Sequence, residues 1–283
     1  MTLPYRPRGV LRAGVAPGKW DVSLYEPAPD LAPYVEHHWI VRWDLRGHPS
    51  YRQRVLSHPN VHLVFEEPYA AVYGVVRDVF ERELIGSGHV FGIKFRAGGF
   101  RPFLGRPVAD VTDRVVPAAE LFGSEVTRVN DTVLGTPDES DRVTLAETYL
   151  RGILPTPHVA GDTGNAGNTE HTPVPAPDPL VTQVAAIVAR LTANPTLFRV
   201  DDLAEEVGMS VRRLQRLFAE YVGVGPKWVL RRARLQEVAE RAERSAGIDW
   251  AAVAADLGYA DQAHLTRDFT ATVGTAPDRY SKT

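Results

Sequence analysis

Ser210-Val-Arg-Arg-Leu-Gln-Arg-Leu-Phe-Ala-Glu-Tyr-Val-Gly223 lines up with Asp261-Gln-Ala-His-Leu-Thr-Arg-Asp-Phe-Thr-Ala-Thr-Val-Gly274 of the same chain. Leu214/Leu265, Arg216/Arg267, Phe218/Phe269, Val222/Val273, Gly223/Gly274 and Pro226/Pro277 coincide at an offset of 51. Just upstream, Leu203-Ala204 and Val207-Gly208 match Val253-Ala254 and Leu257-Gly258 at an offset of 50. The single extra residue falls between the two blocks, where a loop absorbs it. A pattern that recurs in this way marks a repeated structural unit. Ala204 and Ala254 are small enough for a second helix to cross closely. Gly208 and Gly258 follow four residues on, where a helix must end in a left-handed turn that costs glycine least. Ser210 and Asp261 are N-cap residues for the next helix. Leu214, Leu217, Phe218 and Val222 make its buried stripe, as do Leu265, Phe269 and Val273 in the second copy. The outward positions early in each helix are polar: Arg212, Arg213, Gln215 and Arg216, then Gln262, His264, Thr266 and Arg267. Two tight helix pairs, each with a polar, partly basic leading face, fit insertion into a DNA major groove.

Working outward, Pro226–Ser245 reads as a long connecting helix with proline at its start and Gly247 beyond its end. Val181–Ala193 is apolar on one stripe and stops before Asn194-Pro195. Residues 155–179 hold six prolines and three glycines without an aromatic, Lys or Arg, the composition of a flexible linker whose flanks reorient relative to one another. In residues 1–154 the runs His38–Trp43, Val61–Phe65, Ala71–Val76 and Val90–Phe95 read as strands. Short strands between turn signals predict a β-barrel, cupin-like domain or a sandwich. Thr136-Pro137-Asp138-Glu139 reads as a threonine cap, an N1 proline and a capping-box glutamate, starting a helix with Val143, Ala146, Leu150 and Ile153 on one face.

The bulk composition narrows the function. With 283 residues, 44% hydrophobic and 24% charged, the chain is long enough for two globular cores. It has no cysteine, which excludes disulfides, thiol nucleophiles and cysteine-bound metal. Met1–Gly18 lacks the apolar core of a signal peptide, and no run reaches the ~18 apolar residues of a membrane span, so the expectation is a cytoplasmic protein without membrane contact. The net charge is −3, yet Ser210–Arg234 carries seven cations against Glu220 alone. Phosphate binding needs such a local field; a solvated helix face is the other reading of the same charges. Of the nine histidines, His37-His38 and His58/His62 lie among the strands. Adjacent His37 and His38 point to opposite faces of a strand, and Pro59 forbids a helical ligand pair at His58 and His62, so no metal and no cofactor are expected. Gly98-Gly99 is a turn, not a phosphate loop.

Residues from about Val181 to Ser281 resemble the DNA-binding domain of the arabinose-operon regulator (AraC/XylS) family. The likeness rests on Leu203-Ala204…Gly208-Met-Ser210…Leu214-Gln-Arg216-Leu-Phe218, on Arg234-Leu235 in the connecting helix, and on Val253-Ala254…Leu257-Gly258-Tyr259…Leu265-Thr-Arg267-Asp-Phe269…Gly274-Thr-Ala-Pro277-Asp-Arg-Tyr280. Gly92–Gly123, with Phe95-Arg-Ala-Gly-Gly-Phe100 and Asp110-Val-Thr-Asp113, resembles the sensor half of uncharacterised members. The resemblance implies a multidomain α+β chain: an N-terminal β-barrel/cupin-like domain with helices (1–154), the linker (155–179), and an all-α domain of two helix-turn-helix units joined by a long helix (180–283). It implies a non-enzymatic transcription regulator that places two recognition helices in successive major grooves of double-stranded DNA. By resemblance Arg212, Gln215, Arg216, Gln262, Thr266 and Arg267 face base edges; arginine suits guanine and glutamine adenine. Arg213, Arg231, Arg232, Arg234 and His264 are phosphate candidates, with intrahelical or solvated pairing as the alternative for the three on the connecting helix. Ala263 stands where such proteins often carry serine, which makes the first unit the stronger reader. A small-molecule effector at the N-terminal domain, a homodimer formed through it and a contact with RNA polymerase complete the implied partners. The rival class is an enzyme built on the barrel, with the helical half as an appendage.

Overall fold

The computed structural model describes residues 2–3, 9–11, 19–155, 178–194, 197, 199–244 and 247–282. The expected linker lies outside the described residues except at 155, 178 and 179, as do Ser245 and most of Met1–Gly18. The strands are β1 (Thr2–Leu3), β2 (Val10–Leu11), β3 (Lys19–Tyr25), β4 (Val35–Asp44), β5 (Tyr51–Val55), β6 (His62–Phe65), β7 (Ala71–Tyr73), β8 (Phe80–Leu84), β9 (Ser87–Phe95) and β10 (Val115–Pro117). The helices of the first half are α1 (Arg101–Leu104), α2 (Ala118–Phe122), α3 (Glu125–Gly135) and α4 (Glu139–Ile153). Those of the second are α5 (Pro179–Ala193), α6 (Val200–Glu206), α7 (Val211–Tyr221), α8 (Pro226–Arg244), α9 (Trp250–Asp256), α10 (Gln262–Val273) and α11 (Pro277–Tyr280).

The strands do not build the expected β-barrel or cupin. They form two open sheets, a seven-stranded one in the order β1-β3-β4-β9-β6-β7-β10 and a three-stranded one in the order β2-β5-β8. All pairings are antiparallel, and β1 and β10 end opposite edges of the large sheet without meeting. The reason lies in strands that carry no apolar run. Strands β5 (Tyr-Arg-Gln-Arg-Val) and β8 (Phe-Glu-Arg-Glu-Leu) pair charge across the ladder, with Arg54 Nε donating to its partner Glu81 at 2.9 Å, and form a sheet of their own.

The pleat sorts the large sheet into two faces. On one, His38 Nε2 meets Glu147 Oε1 of α4 at 3.0 Å, Phe65 packs edge-on to Tyr149, and the Glu66 N–H donates to Asn130 of α3. On the other, Trp39 and Trp43 of β4 lie opposite Gly92 and Gly88 of β9. A Cβ at Gly92 would sit 2.1 Å from the Trp39 ring and one at Gly88 2.5 Å from Trp43, so glycine is what lets both indoles lie across the neighbouring strand. Helix α4 is capped two residues later than expected: Asp138 accepts from the N–H groups of Ser140 (2.8 Å) and Asp141 (3.0 Å), while Thr136 closes α3 by donating to Thr132 O.

The apolar interior is divided in an order that differs from the order of the chain. One core joins the large sheet and α3–α4 to α5, α6, α7 and the first turns of α8 (Val229, Leu230). The other joins Leu11 of β2 and Leu56 after β5 to the rest of α8 (Leu235, Val238, Ala239, Ala242) and to α9, α10 and α11. Each core thus holds one copy of the sequence repeat. Polar contacts follow the same division. The first unit is held by Thr112 Oγ1, which donates to Gly223 O (2.8 Å), and by Arg101 Nε on Glu220 (2.6 Å). The second is held by Arg54 Nη2 on Val273 O (2.9 Å), and α8 by Gln236 Nε2 on Leu56 O (2.8 Å).

Candidate nucleic-acid interface and ligand cavity

The two repeat copies make the same backbone bonds at their central turns. In the first, Val207, Gly208 and Met209 N–H groups donate to Leu203, Glu205 and Ala204 carbonyls; in the second, Leu257, Gly258 and Tyr259 donate to Val253, Ala255 and Ala254. Gly208 (φ +65) and Gly258 (φ +68) take the left-handed turn that ends α6 and α9. Ser210 Oγ then accepts from Arg213 N–H at 3.3 Å to start α7, and Asp261 accepts from His264 N–H at 2.6 Å to start α10. Leu214 and Phe218, like Leu265 and Phe269, are fully buried beneath these helices.

The leading faces are left in solvent. Arg212, Arg213, Gln215 and Arg216 of α7 are exposed, as are Gln262, His264 and Arg267 of α10, while Thr266 is half-buried. Most arginines elsewhere are neutralised, for example Arg46 on Asp44, Arg77 on Asp113, Arg190 on Glu206 and Arg241 on Glu237. Among the described residues, the arginines whose guanidinium makes no hydrogen bond or ion pair are Arg212, Arg213, Arg216, Arg234 and Arg267. All five belong to the two repeats or the helix between them.

The connecting helix separates its three arginines. Arg231 is committed to Asp268 of α10 at 2.6 Å, with a bond to Thr272. Arg234 lies over the Tyr259 ring, 5.0 Å from its centroid, and its buried Nε has no hydrogen-bond partner among the described residues. Arg232 is 3% exposed, donates to the carbonyls of Arg77 and Asp78 and stacks on Trp228, and burial pulls its guanidinium down to about 10. An arginine so enclosed has no face to offer a phosphate, and Arg232 leaves the candidate set as a tie between the two halves.

A cavity of about 660 Å³ lies between the two sheets and is closed at one side by Ala185, Val188, Ala189 and Thr192 of α5. Three of the five tryptophans, Trp20, Trp39 and Trp43, line it. The sequence holds a signal for this that a strand reading passes over: Trp39, Val41 and Trp43 alternate along β4 and so share a face. The carboxylates in the wall are matched internally, Glu36 with Lys94 (2.8 Å) and Glu66 with Arg82 of the small sheet (2.6 Å), which also bonds Tyr73 (3.0 Å); the third cation, Arg96, donates to Ala32 O (2.7 Å). Burial, and then the neighbouring Lys94 ammonium, bring His37 down to about 4 and His62 to about 3, so both imidazoles are neutral at neutral pH. Trp39 Nε1 donates to His62 Nδ1 (3.2 Å), which places the His62 proton on Nε2. His37 lines the cavity while His38 bonds α4, one on each face of β4 as expected. Among the described residues no three His, Asp or Glu side chains are grouped to hold a metal ion, and no helix is long and apolar enough to cross a membrane.

Residues 203–283 match the family described as "Helix-turn-helix domain", and residues 23–117 the family described as "Domain of unknown function (DUF6597)". No curated protein matches the chain. Among solved structures it is similar to a transcriptional regulator of Chromobacterium violaceum with an AraC-type DNA-binding domain, at 23% identity over 34% of this chain and 86% of that one, with a TM-score of 0.31. It is similar to the DNA-binding domain of AdpA, a global transcriptional factor in complex with a target DNA, at 28% identity over 38% of this chain and 92% of that one (TM-score 0.33). It is also similar to ToxT of Vibrio cholerae, at 10% identity over 94% of this chain and 95% of that one (TM-score 0.37). The segment matched by the first family begins inside α6 and takes in both glycine turns, so the match coincides with the two helix-turn-helix units of the fold.

Proposed function

We propose that the chain is a sequence-specific, DNA-binding transcription regulator whose α7 and α10 enter successive major grooves, and whose N-terminal half answers to a small-molecule effector. The observation that carries the DNA reading is the set of exposed, uncompensated guanidinium groups gathered on the leading faces of two helix-turn-helix units with the same central turn. A charge without a protein partner on an otherwise paired surface is what counterion release from DNA requires. Arg212, Gln215, Arg216, Gln262, Thr266 and Arg267 are assigned to bases, and Arg213, Arg234 and His264 to phosphates, with Arg231 secondary because Asp268 already holds it. The units then read sites about one helical turn, ~10 bp, apart on one face of the duplex. A homodimer through the N-terminal half and a contact with RNA polymerase belong to the same reading. The rival enzyme reading needs a reacting constellation; the carboxylates of the cavity are instead tied to Lys94 and Arg82.

The test is selection of bound fragments from random DNA, followed by affinity measurements at two salt concentrations. Enrichment of two motifs spaced by one turn, with affinity falling steeply as salt rises, supports the proposal. Recovery of unenriched DNA with salt-independent affinity refutes it.

A further inference from the structure

The cavity sits on the seam of the molecule. The large sheet on one side belongs to the core that contains the first helix-turn-helix unit; the small sheet on the other is continuous, through Leu11 and Leu56, with the core that contains the second. At the cavity wall Arg82 of the small sheet, half-buried, reaches across to the buried Glu66 and to Tyr73. Anything lodged there touches both bodies at once.

The wall also states what it would accept. Its two carboxylates are each paired, Glu36 with Lys94 and Glu66 with Arg82, and its third cation, Arg96, is tied through Nε to Ala32 O (2.7 Å), so a charged guest would have to compete with one of these ties. The wall is chiefly apolar, and within it Trp20, Trp39, Trp43 and Phe80 offer flat faces. Among the described residues the Nε2–H of His62 makes no bond, and supplies a donor for one carbonyl, hydroxyl or ring nitrogen. The volume is that of a drug-sized molecule.

We infer that the cavity binds an uncharged aromatic small molecule bearing a hydrogen-bond acceptor, and that its occupancy sets the separation of the two helix-turn-helix units by wedging the two sheets. The binding part stands on the cavity alone; its meaning for DNA rests on the function proposed above. By linkage, the guest and the DNA would alter each other's affinity by the same factor.

The test uses the full chain without DNA, so that it stands or falls apart from the DNA reading. N-phenylnaphthylamine, an uncharged probe that brightens in apolar surroundings, is titrated beside its sulfonated analogue, anilinonaphthalene sulfonate. Expected is saturable 1:1 binding of the uncharged probe, at least tenfold tighter than that of the sulfonate, with more than tenfold loss in Ala185→Trp, which fills the cavity from α5. Ala189→Phe, at an exposed rim position, gives the same reading should the larger substitution disturb folding. Equal affinity for the two probes, or binding indifferent to both substitutions, overturns the site. Because the chain lacks cysteine, the pair Glu205→Cys and Ala255→Cys places one spin label on each unit at exposed positions. Saturating uncharged probe should shift the label-to-label distance distribution; an unchanged distribution overturns the coupling.

Discussion

Arg213 and Arg232 are alike in sequence, each one of a pair of arginines on a helix, and the structure gives them opposite work. Arg213 stands in solvent without a partner for its guanidinium; Arg232 is buried against two carbonyls of the N-terminal half. Arg213→Ala should weaken binding evenly across DNA sequences and lower the slope of log affinity against log salt by about one. Arg232→Met should leave that slope alone and destabilise the fold by about 1–3 kcal/mol, since it strands buried carbonyls. Thermal melts beside salt titrations separate the two, and an exchange of the outcomes would reverse the assignment. Gln215→Ala should cost about 1–3 kcal/mol at the preferred site and relax one base position; equal loss on random DNA would make Gln215 a backbone contact. His62 makes a prediction in pH. Its imidazole is neutral in the fold down to about 3 but titrates near its ordinary value when unfolded, so the unfolded chain takes up the proton first. Stability is therefore complete above the unfolded pKa and falls as pH drops toward the folded one, by about 1 kcal/mol at pH 5.5 from this residue. His62→Asn should flatten the fall in Tm between pH 7 and 5; an unchanged slope would mean that His62 is protonated readily in place.

At the scale of elements, the two glycines after α6 and α7 do different things. Gly208 has φ +65 with open space around its missing Cβ, whereas Gly223 has φ +90 and a Cβ there would meet Thr112 Oγ1 at 2.6 Å. Gly208→Ala should cost about 1 kcal/mol, the backbone penalty alone. Gly223→Ala should cost more, and Thr112→Ala, which clears the space, should return part of the difference in a double-mutant cycle. Additive losses would show that the α7 end and the Val108–Thr112 turn do not meet. The same contrast explains what the sequence discloses. The helix-turn-helix units are legible because everything that defines them is local: a cap, a stripe, a glycine and a small residue within about twenty positions. Of the predicted strands, β4, β6, β7 and β9 are found, each carrying an apolar run. Strands β5 and β8 are not legible, since they lack an apolar run and their charges find partners only across the ladder, as Arg54 does with Glu81 27 residues away, and without them the expectation of a closed barrel follows naturally. The outward polar residues of α7 and α10 could be named from spacing. That Arg232 of α8 turns inward could not, because only the docking of the N-terminal half decides it.

At the scale of the molecule, the order of the chain and the division of the interior give two different accounts of what moves as a unit. Read along the sequence, residues 1–154 and 180–283 are the two bodies and the segment 155–179 is the joint. Read by packing, the first helix-turn-helix unit belongs with the large sheet, the second with β2 and the end of β5, and α8 is the joint, passing from one core to the other between Leu230 and Leu235. Segments that share a core open together, so amide exchange distinguishes the accounts. Phe269 is fully buried in the second core, and Phe269→Ala should cost about 3–5 kcal/mol there. Packing requires that this substitution accelerate exchange in α9, α10, α11, the latter half of α8 and the peptide spanning β5 and Leu56, while α5, α6 and α7 keep their protection. If α6 and α7 open together with α10 and β5 stays closed, the joint lies in the chain between the halves, and a ligand between the two sheets has no lever on the spacing of the recognition helices.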